Sequence, residues 1–72
     1  MLDAHQTAQI IDQVFKKLGT ETKELLLQKY IDKRQVKDIA AQAGRTPKAI
    51  ESDLFRARRD FRHYYLEMTE NS

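Results

Sequence analysis

The 72-residue chain can form one domain with a thin core, because a domain of this size buries only about 60% of its unfolded surface. It contains no cysteine, which excludes a disulfide framework and a thiolate metal site. The net charge of +2 and the isoelectric point of about 9.0 are too weakly basic to indicate nucleic-acid binding without a further signal.

The sequence carries no membrane or export signal. No apolar run approaches the roughly 20 residues of a membrane span. The N-terminus, MLDAHQTAQI, lacks the basic start and apolar run of a signal peptide. We therefore expect a cytoplasmic protein without a membrane partner, and the lack of cysteine is compatible with a reducing compartment.

The sequence predicts helices throughout, because β-branched residues are sparse and no alternating pattern is sustained. Asp3 is predicted to cap the first helix, while Gln6 reaches back as in a capping box. Apolar residues at spacings of three and four then form one stripe: Ala8, Ile11, Val14, Phe15 and Leu18. Gly19 is expected to end this helix in the left-handed conformation.

The second helix is predicted to begin at Thr20 as its N-cap, with Glu21 and Glu24 near the positive end of the dipole. Its buried face is expected to contain Leu25, Leu26, Leu27 and Tyr30. The polar segment 32–34 is predicted to connect it to the third helix.

The third helix is predicted over 36–43, with a packed face formed by Val36, Ile39, Ala40 and Ala43. Gly44 is expected to stop it, Thr46 to cap the fourth helix, and Pro47 to take the first helical position. The fourth helix is expected to run for about 18–20 residues. Its inward stripe contains Ile50, Leu54, Ala57, Phe61 and Tyr64 or Tyr65. We place the domain at 1–66 and expect the acidic, polar segment 67–72 to fray.

The last two helices are predicted to form a helix-turn-helix over about residues 36–62. Ala40 must be small where the helices cross, Gly44 must permit a positive φ, and Ile50 and Leu54 anchor the second helix on the first. An ordinary helical hairpin is the alternative, but the agreement of spacing, caps and apolar positions favours the motif. The predicted fold is therefore an all-α, four-helix domain with a helix-turn-helix and a long C-terminal recognition helix.

In such a motif the second helix lies in the major groove with its N-terminal turns toward the bases. The outward positions are candidates for base reading: Thr46, Pro47, Lys48, Glu51, Ser52 and Phe55. Arginines suited to phosphate contact, which gives affinity without sequence choice, are Arg45, Arg56, Arg58, Arg59 and Arg62. The alternative is that they are solvated and favoured by the helix dipole, but the motif upstream favours phosphate binding.

Several segments between Leu18 and Phe61 form a pattern: ELLLQKY at 24–30, VKDIAAQAG at 36–44, TPKAI at 46–50 and SDLFRARRDF at 52–61. In these segments the chain resembles the C-terminal promoter-binding domain, region four, of bacterial RNA polymerase sigma factors, and most closely the extracytoplasmic-function group. A weaker resemblance is to response-regulator-type transcription factors. The first resemblance implies that the fourth helix reads the −35 element of double-stranded promoter DNA. It also implies contact with the β flap of RNA polymerase core and masking by an anti-sigma factor.

The sequence departs from the family at four positions. The family usually has a basic residue where Glu51 stands, and often another where Asp53 stands. It usually has an apolar residue where Arg45 follows the turn glycine, and often a glycine where Lys33 stands. We expect Arg45 to lay its aliphatic stem beneath the turn and keep its charged head in water.

The two carboxylates on the fourth helix have alternative explanations. Glu51 can accept a hydrogen bond from cytosine N4 and so specify that base, or it can pair with Lys48 on its own helix. For Asp53 we favour an ion pair with Arg56, three residues ahead.

No residues indicate catalysis, a cofactor or a metal. His5 and His63 are far apart and lack partners at ligand spacing, and Ser52 has no histidine nearby to activate it. We therefore expect neither an enzyme nor a small-molecule substrate. Phe55 lies one position off the core stripe, where it can touch a thymine methyl group, a partner protein or the edge of the core.

The alternative function is a sigma-like interaction module that docks on polymerase, on an anti-sigma factor or on itself without reading DNA. Glu51, Asp53 and Phe55 motivate this alternative.

Overall fold

The computed structural model describes residues 4–70 and has four helices in this range: α1 (Ala4–Leu18), α2 (Thr20–Tyr30), α3 (Val36–Ala43) and α4 (Pro47–Glu70). Helix α4 packs against each of the other three, and α1 also packs against α2. The predicted all-α fold with a helix-turn-helix is confirmed. Asp3, and with it the predicted capping box, lies outside the described residues.

The buried face of α1 differs from the predicted stripe in its first two turns. Val14 is fully buried, and Thr7, Ile11 and Leu18 are half-buried, so this face has spacings of four, three and four. Ala8 is exposed, and its predicted place in the core is wrong because it lies one position outside that line. The Phe15 and Phe61 rings, 5.6 Å apart between centroids, join α1 to α4.

The joint between α1 and α2 is formed by Gly19. Its φ of 92° and ψ of 164° are an extended conformation at positive φ, not the left-handed helical one that we predicted. Almost only glycine adopts this combination of φ and ψ. Gly19 rather than Thr20 is the N-cap of α2, since its carbonyl oxygen already accepts the first helical hydrogen bond, from the Lys23 N–H over 3.1 Å. Thr20 is the first helical residue.

Helix α2 buries Leu26 and half-buries Leu25 and Leu27, as predicted, but Tyr30 is 46% exposed. Tyr30 occupies the last position of the helix, where its hydroxyl accepts a hydrogen bond from Arg58 rather than entering the core. In the following connection Lys33 adopts a φ of 58°. A positive φ explains why a glycine suits this position, because an L side chain is strained there.

The core of the helix-turn-helix contains Ala40, Ile50 and Leu54 of the predicted motif, together with Ile39 from the predicted packed face of the third helix. Each is at most 3% exposed, and Leu25 and Val36 pack against them. Ala43 is exposed, contrary to prediction, because it lies in the last turn of α3 and faces an open groove between α2 and α4.

The turn between α3 and α4 has the predicted chemistry. Gly44 is in the left-handed conformation, with φ 69° and ψ 32°. The N–H groups of Gly44 and Arg45 donate to carbonyl oxygens in the last turn of α3, which satisfies groups that the helix end leaves open. The Thr46 hydroxyl oxygen accepts the Ala49 N–H over 3.1 Å, and α4 begins at Pro47. The predicted cap is confirmed.

Helix α4 contains 24 residues and is longer than predicted. Residues 67–70 form its last turn, whereas we expected them to fray, and 71–72 lie outside the described residues. The extra turn is supported from the side by α1, where Lys17 Nζ lies 4.0 Å from a Glu67 carboxylate oxygen. The Phe61 and Tyr65 rings stack, and both Tyr64 and Tyr65 are half-buried.

Replacing Gly44 with alanine is expected to lower the free energy of unfolding by about 1–2 kcal/mol, the cost of an L residue in the left-handed conformation. A Cβ atom at Gly44 would meet no atom within 4 Å, so the loss reflects backbone conformation alone. Gly44→Asn is the matched control and should lose less, because asparagine tolerates this conformation. Urea unfolding followed by circular dichroism measures the free energy of unfolding of both variants. Equal stability of the alanine variant and the parent would contradict the prediction.

Candidate nucleic-acid interface

The side of α4 opposite its core residues is exposed. Helical spacing carries Ile50, Leu54 and Ala57 into the core and leaves Lys48, Glu51, Ser52 and Phe55 in solvent. We call these last four residues the outer face of α4. They line a shallow depression together with Arg56, and the Phe55 ring is 62% exposed. A large aromatic side chain this exposed is available to a partner.

Thr46 and Pro47 stand at the exposed start of the same helix. The Thr46 hydroxyl oxygen is engaged in the cap, but a hydroxyl also carries one donor hydrogen that the cap does not use. All six predicted base-reading positions are therefore exposed, and the first of them also has a structural role.

Glu51 is not paired. Within residues 4–70 no ion pair or hydrogen bond of the Glu51 carboxylate is found, and the predicted alternative partner Lys48 has none either. The intrahelical pair is therefore absent from the structure. The outer face presents one carboxylate and one ammonium group, both available to a ligand.

Asp53 is paired more extensively than predicted. Its Oδ1 accepts from Arg56 Nη2 over 2.5 Å, which is the expected pair, and its Oδ2 accepts from Arg45 Nη1. The charged head of Arg45 is thus bound to Asp53 rather than standing free in water as we expected. Two of the four positions where this sequence departs from the family, 45 and 53, contact each other. We call Arg45, Asp53 and Arg56 the arginine–aspartate cluster.

The remaining arginines of α4 are exposed and differ in their contacts. Arg58 donates to the Tyr30 hydroxyl over 2.9 Å, and Arg59 lies 3.1 Å from the Asp60 carboxylate. In the described part of the chain, Arg62 has no ion pair or side-chain hydrogen bond. Exposed ion pairs of this kind contribute little to stability, so a phosphate can replace the carboxylate at small cost.

A groove of about 680 Å³ is lined by residues of α2 on one side and of α3 and α4 on the other. Its floor includes Leu25, Ile39 and Ile50. Acidic residues from two helices line it, together with Arg45 and Arg56: Glu21, Glu24, Asp53 and Asp60. Sequence reasoning missed this groove, because Glu21 and Glu24 were explained by the dipole of α2. No sequence signal marked it, because its acidic residues come from two segments that are far apart, and the segment 53–60 contains three arginines beside its two aspartates.

The two histidines contact different residues, each on its own helix. His5 contacts Gln9 on the next turn of α1, and His63 Nε2 lies 3.4 Å from Glu67 on α4. Among residues 4–70, no group of three histidine, cysteine or acidic side chains is placed to hold a metal ion. None of the helices formed by these residues has the length and apolar character needed to cross a membrane.

Comparison with known proteins assigns the fold to a family. Residues 8–61, more than half of the chain, match the family described as Sigma-70, region 4. No curated protein and no solved structure matches the chain. The chain therefore belongs to the sigma-70 region 4 family, whose domains recognise promoter DNA at the −35 element together with RNA polymerase.

Proposed function

We propose that this chain binds a promoter −35 element through the outer face of α4, in a sigma factor of the extracytoplasmic-function type. The observation that carries the proposal is this exposed face, held outward by the helix-turn-helix core on the other side of the same helix. The family assignment supports DNA as the ligand. The roles of individual residues below are part of the proposal.

The dimensions of α4 suit the major groove. A helix with its side chains is about 10–12 Å across, and the groove is about 12 Å wide. In this placement the start of α4, from Thr46, enters first and brings the outer face against the base edges. Arg59 and Arg62 lie two to three turns further along the helix and would meet the phosphates at the groove edge.

Each residue of the outer face has a base contact that fits its chemistry. The free Glu51 carboxylate accepts from cytosine N4, and Lys48 donates to guanine O6 or N7. The Phe55 ring packs on a thymine methyl group, and the Ser52 hydroxyl bonds to either kind of base edge. A site containing both a cytosine and a thymine under adjacent turns of α4 would use these contacts best.

Polymerase would be bound by a surface that DNA leaves free. The groove between α2 and α4 has an apolar floor and an acidic rim, and it opens on a different side of α4 from Glu51 and Phe55. We assign the β flap of the polymerase core to the α2 side of this groove, which Glu21, Glu24 and Leu25 line, with an anti-sigma factor as a competitor for it. The arginines on the α4 side of the groove then stay available to DNA. The protein would act in the cytoplasm, where its DNA and polymerase are.

DNA binding is tested by fluorescence anisotropy with a labelled duplex over a series of salt concentrations. Binding at about 50 mM salt is expected, with a log–log salt slope of about −0.9 for each phosphate contacted. Arg62→Gln should make this slope less steep by about 0.9. The matched control is Lys16→Gln, which removes one exposed positive charge from α1 and should leave the slope unchanged. Absence of binding at about 50 mM salt would contradict the proposal, because several phosphate contacts give strong affinity at low salt.

The second candidate function is an interaction module that does not read DNA, and the exposed Phe55 beside an unpaired Glu51 favours it. The Glu51→Lys variant separates the two functions. A change in the preferred base at one position supports DNA reading by the parent. DNA affinity that arises only in the variant supports the interaction module.

A further inference from the structure

The arginine–aspartate cluster joins the turn to the recognition helix. Arg45 reaches Asp53 from the turn, and Arg56 reaches it from the next turn of α4. The two oxygens of the carboxylate bind different guanidinium groups. The Asp53 side chain is only 19% exposed, whereas those of Arg45 and Arg56 are 49% and 57% exposed. The carboxylate is thus covered by two cations that face solvent.

The cluster retains donors for a second anion. A guanidinium group has five N–H donors, and in this arrangement one nitrogen of each group points at Asp53. The remaining donors of Arg45 and Arg56 are available to a phosphate oxygen. Two positive charges and one negative charge leave the cluster with one net positive charge, so a phosphate would meet half of the charge that the two arginines alone would offer.

We propose that Asp53 is an internal counter-ion that holds Arg45 and Arg56 together beside the outer face of α4 and lowers their affinity for DNA phosphate. The inference rests on the proposed DNA binding. Its consequence is a weaker sequence-independent attraction, which leaves a larger share of the binding free energy to the base contacts of Glu51 and Phe55. Asp53 would thereby determine how selective the domain is, without touching a base.

A purely structural role for Asp53 predicts different behaviour. If the carboxylate only fixed the turn against α4, its loss would lower stability and would weaken DNA binding as the helix became less well placed. If Asp53 is a counter-ion, its loss strengthens DNA binding, because both guanidinium groups are then free to bind phosphate. The salt dependence of binding also distinguishes the structural role from the counter-ion role. Only newly contacted phosphates release additional counter-ions, so only loss of a counter-ion makes the salt slope steeper.

Asp53→Asn is the direct test, because the amide keeps the shape and an acceptor oxygen but removes the charge. We expect the variant to bind a non-promoter duplex about 3–10-fold more tightly at about 50 mM salt, with a slope steeper by up to about 0.9 for each phosphate gained. Asp12→Asn, the same change on α1, is the matched control and should bind like the parent. Thermal unfolding by circular dichroism checks that each variant is folded.

The double variant Asp53→Asn with Arg45→Gln provides a second measurement. It restores the net charge of the cluster, so its affinity and slope should return close to those of the parent. A double variant that binds as tightly as Asp53→Asn alone would overturn the role given to Arg45.

Comparison of the parent with Asp53→Asn distinguishes failure of the counter-ion role from failure of DNA binding. If the parent binds and Asp53→Asn has the same or weaker affinity with the same slope, the counter-ion role is overturned and DNA binding stands. If only the variant binds, the counter-ion role is supported and the parent is not a DNA reader. If neither binds at about 50 mM salt, both proposals fail.

Discussion

Replacing Leu54 with alanine is expected to lower the free energy of unfolding by about 2–5 kcal/mol. Leu54 is 2% exposed and lies in the buried cluster that joins α3 to α4, together with Ile39, Ala40 and Ile50. The lost methyl groups leave a cavity that short helices can close only in part. Small domains have total stabilities at the low end of about 5–15 kcal/mol, so the variant should be close to unfolding at 37 °C.

Leu66→Ala is the matched control for this prediction. Leu66 is on the same helix but is 45% exposed, so its loss should have a much smaller effect. Urea unfolding followed by circular dichroism gives both values. Similar losses at the two positions would show that the helix-turn-helix cluster is not the main source of stability.

Replacing Glu51 with glutamine is expected to change the preferred base at one position of the DNA site from cytosine to adenine. A carboxylate accepts from cytosine N4, whereas the amide of glutamine both donates and accepts, as adenine N7 and N6 require. A good base contact of this kind discriminates by about 1–3 kcal/mol. Selection from a randomised duplex pool, followed by affinity measurements on the best and second-best bases, gives the size of the change.

Glu67→Gln is the matched control, because it makes the same change on the same helix. It lies 16 residues further along, which is about 24 Å along the helix axis and beyond the base contacts. It should leave base preference unchanged. If Glu51→Gln instead raises affinity for every sequence equally, the glutamate is a solvated charge that repels phosphate, and base reading at this position is excluded.

The sequence predicted the features that depend on neighbours along the chain. The Thr46 cap, the first-turn Pro47 and the left-handed Gly44 each involve residues within one helical turn, so local chemistry determines them. The core residues Ile39 and Leu54 follow from helical periodicity in the same way. The exposure of the outer face follows too, because its residues lie on the side of α4 opposite the buried positions. Its contact with DNA stays a prediction.

The features that sequence reasoning missed depend on packing between helices. Arg45 and Asp53 are eight residues apart, and Arg58 and Tyr30 are 28 apart, so no periodic pattern links either pair. Ala43 has the spacing of a core residue, but no other helix covers it. Periodicity defines the face of a helix and does not define how far along that face the neighbouring helix extends.

The contact between α4 and DNA is tested most directly by a nuclear magnetic resonance titration of the ¹⁵N-labelled protein with a duplex that carries its preferred site. We predict the largest amide shift changes at the outer face, Lys48, Glu51, Ser52 and Phe55, with smaller changes at Arg59 and Arg62. Residues of α1 such as Val14 should change little. Changes that concentrate on α1, or a titration that leaves the outer face unaffected, would contradict DNA recognition by α4.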